Sequence, residues 1–131
     1  MKFSKFDAER MVQERQQYTE LIKENIEYAY LSKEFRIAEL DELVELMVDT
    51  ICSQRAVIRI AGDDKPKEVV KSRFLKLDSD HIRYVMECLN ENCSNIRNVK
   101  QYLLAVLYNA PLTINNYYQQ LVNRDMKGGL L

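Results

Sequence analysis

The stretch "RIAELDELVELMVDTICS", residues 36 to 53, carries the clearest structural signal in this chain. Apolar residues recur in it every three or four positions, which is the spacing of a helix with one buried face. The predicted apolar stripe consists of Ile37, Leu40, Leu43, Val44, Met47, Val48 and Ile51. Acidic residues occupy the opposite side, where solvation accounts for them. A helix of this kind is stabilised mainly by burying its apolar face, so the stretch predicts a packed helical domain.

The composition of the whole chain agrees with this prediction. Of the 131 residues, 47% are hydrophobic and 30% charged, and only three are glycine and two proline, which is typical of a helix-rich protein with one core. No apolar run approaches the length of a membrane span, and the first residues lack the apolar centre of a signal peptide. We therefore expect a cytoplasmic protein with no membrane contact.

On the amino-terminal side, "AERMVQERQQYTELIKENIEYAYL" predicts a long helix with Asp7 as its N-cap. Its first half is too polar for a buried element, so the part before about Tyr18 is expected to be solvated, frayed or packed on another chain. The predicted organisation is a polar helical extension or linker over residues 1–17, one helical domain over 18–126 and a flexible tail over 127–131.

On the carboxyl-terminal side, "AVIRIAG" predicts a short strand near residues 57–60, followed by a turn at 62–64. A helix with Pro66 in its first turn, capped by Asp64 or Lys65, should follow, and then a second helix capped by Asp78 or Ser79. Two short linked helices are compatible with a helix-turn-helix, although plain bundle packing is the commoner meaning.

The stretch "IRNVKQYLLAVLYNA", residues 96–110, predicts a further core helix that is capped by Asn95 or Asn98 and halted at Pro111. A last helix should begin with Thr113 as its cap. The predicted fold class is therefore mainly α: a small helical bundle of about five to six helices with one short β segment near 57–60.

Catalysis and metal binding find no support in the sequence. The three cysteines, Cys52, Cys88 and Cys93, form no metal-ligand spacing and are interpreted as reduced, structural thiols. The single histidine, His81, lies in a first helical turn, where an imidazolium would oppose the helix dipole. No nucleophile or phosphate-loop motif is present, so we expect a protein that is not an enzyme and has no cofactor or metal.

The net charge of −1 conceals an asymmetry between the two halves of the chain. Residues 1–54 hold seven basic and twelve acidic residues, whereas residues 55–131 hold twelve basic and eight acidic residues. The segment "KPKEVVKSRFLK" carries five cations, Lys65, Lys67, Lys71, Arg73 and Lys76. It is the best candidate to bind an anionic ligand, and a merely solvated helix face is an equally plausible interpretation.

Three stretches of the chain carry a resemblance to a known family: "YTELIKENIEYAYL", "LDELVELMVDTICS" and the long "RIAGDDKPKEVVKSRFLKLDSDHIRYVMECLNENCSNIRNVKQYLLAVLYNAP". Together they resemble the C-terminal domain of the replication initiator protein A family of Gram-positive plasmids and conjugative elements. In that family a separate winged-helix domain binds the replication origin. The resemblance implies that this chain corresponds to a C-terminal domain that engages host replication proteins, such as primosome or helicase-loading proteins.

Within it, "IRNVKQYLLAVL" is similar to a motif of the DNA-binding region of the primosomal DnaD family, at Ile96, Asn98, Tyr102 and Leu107. This second resemblance implies DNA binding by the helix that contains the motif. The alternative, which we favour for Tyr102, is a packed aromatic side chain with its hydroxyl at the edge of the core.

Two functional hypotheses follow. The first is a non-catalytic module whose acidic helix and amino-terminal helix contact a host replication protein or a second copy of the chain. The alternative is sequence-independent DNA binding, in which phosphate contacts dominate. The candidate DNA-binding residues are Lys65, Lys67, Lys71, Arg73, Lys76, Arg97 and Lys100.

Overall fold

The computed structural model describes residues 4–92 and 96–129, with the backbone alone from residue 116 onward. The described residues form six helices and one two-stranded antiparallel sheet, which confirms the predicted mainly α fold. In chain order the elements are α1 (Lys5–Asn25), α2 (Tyr28–Leu31), α3 (Ile37–Ile51), β1 (Val57–Ile60), β2 (Asp63–Pro66), α4 (Lys67–Leu75), α5 (Ser79–Asn92) and α6 (Val99–Gly129).

The predicted stripe of α3 lies at the centre of the core, with one exception. Leu40, Met47 and Ile51 are each no more than 1% exposed. Ile37 is 57% exposed, because it is the first residue of α3 and the packed part of the helix begins at Leu40. The buried Thr50 hydroxyl donates to the Leu46 carbonyl at 2.8 Å, so its polar group is satisfied within the helix.

The cap of α1 lies three residues earlier than predicted. Ser4 is the N-cap: its Oγ accepts from the Asp7 amide at 3.1 Å, while the Ser4 amide donates to the Asp7 carboxylate at 3.3 Å. Asp7 therefore completes a capping box as the third helical residue instead of starting the helix. Residues 5–17 continue directly into the part of α1 that buries Ile22, so α1 is one unbroken helix.

The strand near residues 57–60 is confirmed, and its partner strand β2 is a feature that the sequence analysis missed. β1 and β2 are antiparallel, with Val57 opposite Pro66 and Ile60 opposite Asp63. Ala61 and Gly62 connect them with φ values of 53° and 80°, as a two-residue turn matched to the twist of a hairpin requires. The predicted cap at Asp64 or Lys65 is thus wrong.

Those two residues lie in β2 because the tight turn folds the chain back onto β1, whose backbone groups need partners. The chain leaves the sheet at Pro66, which precedes α4 as its N-cap residue.

Helices α4 and α5 both contribute to the core. α4 packs against α3 and α6, and α5 packs against α6, an arrangement that favours the bundle-packing interpretation. The Asp78 carboxylate accepts from the His81 amide at 3.0 Å, so Asp78 caps α5 as predicted. At the start of α6, the Asn98 side chain accepts from the Gln101 amide at 3.1 Å, which confirms Asn98 as a cap; Asn95 lies outside the described residues.

The predicted break at Pro111 is wrong, since α6 continues through it for 31 residues in all. Proline removes the amide that would donate to the carbonyl four residues back. Ala110 and Ile114 on either side of it are nevertheless buried, and their packing keeps the helix intact. Thr113, predicted as the cap of a new helix, instead lies within α6 and donates from its hydroxyl to the Asn109 carbonyl at 3.1 Å.

Candidate functional site

Two of the seven candidate DNA-binding residues converge on Tyr108 in α6. The Arg73 guanidinium lies 4.0 Å from the centre of the Tyr108 ring and also donates to the Tyr108 carbonyl at 3.1 Å. The Lys65 ammonium lies 5.8 Å from the same ring. These cation–π contacts join β2 and α4 to α6, so both side chains help to stabilise the packing of these elements.

The remaining cations of the segment 65–76 have different partners. The Lys71 ammonium lies 5.0 Å from the centre of the Tyr18 ring in α1, and its interaction with the Tyr18 side chain raises the pKa of Lys71. The Lys67 ammonium lies 3.6 Å from the Glu68 carboxylate. Lys76 is exposed and has no ion-pair partner among the described residues. The cations of the segment therefore contact several different partners, although Lys67 and Lys71 both act on the Cys52 thiol.

Lys100 and Arg97, at the start of α6, lie on another part of the surface. Lys100 lines a cleft of about 200 Å³ between the end of α3, β1 and α6, together with Arg55 and Arg59. The sequence analysis did not include these two arginines. Arg59 alternates with apolar residues in β1, which indicates an outward side chain, but nothing local links it to Lys100 in a distant helix.

The DnaD-like motif residues have clear structural roles. Leu107 is fully buried and Asn98 is the cap of α6, while Ile96 is half-buried. The hydroxyl of the half-buried Tyr102 donates to the Cys88 carbonyl and accepts from the Asn92 side chain, both at 3.3 Å. Burial raises the pKa of Tyr102. Tyr102 thus packs against the core with its hydroxyl hydrogen-bonded at the edge.

A second surface is formed by the first ten residues of α1, residues 5–14, which we call the uncovered segment. None of its residues is buried, and Phe6 and Val12 are 71% and 64% exposed. It is joined to the bundle just beyond its end, where the Arg15 guanidinium lies 2.7 Å from the Asp49 carboxylate on α3. Beyond Arg15, the acidic residue Glu45 of α3 lies beside Thr19 and Lys23 in the packed part of α1.

The cysteine and histidine side chains among the described residues have structural surroundings. Burial raises the pKa of the Cys52 and Cys88 thiols, which disfavours their thiolate forms. His81 Nδ1 accepts from the Asp78 amide at 3.0 Å and so belongs to the cap of α5. The described ranges contain no group of three or more His, Cys, Asp or Glu residues that could hold a metal ion. Cys93 lies outside them.

The comparisons with known proteins place the chain in a family. It belongs to DUF6017, a family of unknown function, whose model matches residues 5–129. This range begins at the first residue of α1 and ends at the last residue of α6, so the family unit coincides with the helical unit and includes the uncovered segment. No curated protein and no solved structure matches the chain. Across residues 4–92 and 96–129, no helix has the length and apolar character needed to cross a membrane.

Proposed function

We propose that this chain is a non-catalytic domain of a plasmid or mobile-element replication initiator, acting in the cytoplasm through protein–protein contacts. Its partner is a host replication protein of the primosome or helicase-loading class, or a second copy of the chain. The replication context rests on the sequence resemblance to the replication initiator protein A family. The contact itself rests on the uncovered segment of α1.

The physical argument concerns how a helix is stabilised. Residues 5–14 extend α1 beyond its packed part, and most helical stability comes from burying an apolar face. The uncovered segment has a capping box at its start but no buried residue, and it holds Phe6 and Val12 in solvent. Covering these side chains with a partner would contribute roughly 1.5–3 kcal/mol each. The segment itself holds three acidic and two basic residues, which favours a partner surface that is apolar with charges of both signs at its rim.

The experiment replaces the two exposed side chains. Phe6→Gln with Val12→Gln should abolish self-association in light scattering, or capture of purified helicase-loading or primosomal proteins, while the fold is retained. Leu112→Gln is the matched control, because Leu112 is 62% exposed on α6, far from this segment in the chain. A concentration-independent monomer that captures none of these proteins, with or without the substitutions, would contradict the proposal.

Sequence-independent DNA binding is the second candidate function. The observation that favours it is the exposure of Lys76, Arg97 and Lys100, which have no ion-pair partners in the part of the chain that the structure describes. Phosphate contacts predict that binding weakens steeply as salt increases. Fluorescence anisotropy with labelled DNA across a salt series tests this, with Lys76→Glu and Lys100→Glu expected to reduce binding. Binding that ignores both salt and these substitutions would rule it out.

A further inference from the structure

We propose that the cleft between α3, β1 and α6 is a binding site for a phosphate group, with Arg55, Arg59 and Lys100 as its ligands. The three cations come from three different parts of the chain: the loop after α3, strand β1 and the first turn of α6. The site stands on its own geometry and does not depend on the protein contact proposed above.

The charge balance of the cleft favours an anion. Its lining holds three cations and one carboxylate, that of Asp49. Asp49 is already paired at 2.7 Å with Arg15 of α1, and Arg59 at 3.2 Å with Asp64. The surplus positive charge of the lining is therefore that of Arg55 and Lys100. Clefts lined by one sign of charge concentrate the field and attract counter-ions of the opposite sign.

The donors needed for an oxyanion are available. Arg55 and Lys100 are exposed and form no ion pair with any described residue. Arg59 forms one ion pair, from Nη1 to the Asp64 carboxylate at 3.2 Å, and its charge also helps to lower the pKa of Asp63. An arginine side chain carries five N–H donors, so most of those on Arg59 remain open to a ligand. Guanidinium groups match the geometry of phosphate oxygens.

Local structure positions the backbone of these residues around the cleft. The Arg55 amide donates to the Ser53 hydroxyl at 3.2 Å, which orders the loop after α3. Arg59 is fixed by the hairpin, and Lys100 lies in the first turn of α6, where the helix dipole adds positive potential. The apolar side chains of Ile58 and Leu104 also line the cleft. The result is a cationic rim whose residues come from a loop, a strand and a helix.

The size of the cleft defines the class of ligand. Its volume of about 200 Å³ is smaller than the roughly 300–1,000 Å³ of pockets that enclose drug-sized molecules. A single phosphate group fits this description, either as part of a nucleic-acid backbone or as part of a small phosphorylated molecule whose remainder stays in solvent.

Nuclear magnetic resonance titrations of the full chain test the site, with inorganic phosphate and a short single-stranded DNA oligonucleotide as probes. We expect saturable shifts at the amides of Arg55, Arg59 and Lys100. Replacing Arg55→Gln together with Lys100→Gln should weaken binding by roughly tenfold or more, since charge-assisted hydrogen bonds are lost. Lys33→Gln, an exposed lysine next to α2 and outside the cleft, is the matched control and should leave binding unchanged.

The two probes distinguish the two sources of phosphate. Tighter, salt-sensitive binding of the oligonucleotide at these amides supports a nucleic-acid backbone as the ligand, whereas equal affinities support a small phosphorylated molecule. The absence of shifts at the cleft with both probes would overturn the proposal. Equal binding by the double variant and the unsubstituted protein, with thermal melting confirming that both are folded, would overturn it as well.

Discussion

Replacing Pro111 with alanine should stabilise the protein, because α6 continues through a residue that has no amide proton to donate. Proline within a helix is less favourable than alanine by about 3 kcal/mol in model helices. Two effects reduce this gain here. Proline restricts the conformations of the unfolded chain, and losing this restriction lowers the free energy of unfolding by about 0.4–1 kcal/mol. The half-buried proline ring also loses some packing when it is replaced by the smaller alanine. The expected net gain in the free energy of unfolding is about 1–2 kcal/mol.

Urea denaturation followed by circular dichroism measures this gain as a higher midpoint with an unchanged m-value. In a thermal melt, the same gain raises Tm by about 3–8 °C for a domain of this size. Leu112→Ala is the neighbouring control; Leu112 is exposed, so its replacement should change the free energy of unfolding by less than about 0.5 kcal/mol.

A Pro111→Ala variant less stable than the unsubstituted protein would refute this reasoning. It would mean that the ring itself supports the packing of Ala110 and Ile114, and that proline is favourable at this position for its shape.

The remaining predictions concern Arg73 and Glu34. Arg73→Ala should lower the free energy of unfolding by about 1–3 kcal/mol in urea titrations, because it removes the contact with the Tyr108 ring and the hydrogen bond to the Tyr108 carbonyl. The control, Lys76→Ala, should change the free energy of unfolding by less than about 0.5 kcal/mol. Equal effects of the two substitutions would contradict the structural role of Arg73. The hydrogen bond from Arg83 lowers the pKa of Glu34 below its ordinary value of 4.5, so this stabilisation is present above pH 4.5 and lost as the pH falls through the lowered pKa. Glu34→Gln should therefore flatten the stability profile in that acid range, and an unaltered profile would show that the pair does not contribute.

Features encoded by local patterns could be predicted from the sequence. The apolar period identified α3, and single side chains with a free acceptor, Asp78 and Asn98, identified the starts of α5 and α6. Strand β2 could not be found in this way, since "DDKP" has no strand propensity and is extended only because the hairpin turn places it beside β1. At Pro111 a local rule predicted a helix end, and packing on both sides outweighed it.

The candidate sites also divide into features that local patterns predict and features that depend on residues far apart in the chain. The polar character of the first turns of α1 predicted the uncovered segment, because burial would require apolar residues there. The density of lysine and arginine in residues 65–76 indicated a positive charge but not which residues these side chains would contact. Three of these cations lie against the rings of Tyr18 and Tyr108, which belong to other helices. The cleft depends on contacts between residues far apart in sequence, so no local pattern could reveal it.

The ion pair between Arg15 and Asp49 connects α1 to the lining of the cleft. Asp49 lines the cleft, whereas Arg15 belongs to α1 directly after the uncovered segment, so the electrostatic potential of the cleft depends on the position of α1. Displacing α1 would release a negative charge into the cleft and weaken its attraction for anions. Thermodynamic linkage makes this coupling reciprocal: if a partner on α1 changes the affinity of the cleft by some factor, a ligand in the cleft changes the affinity for that partner by the same factor.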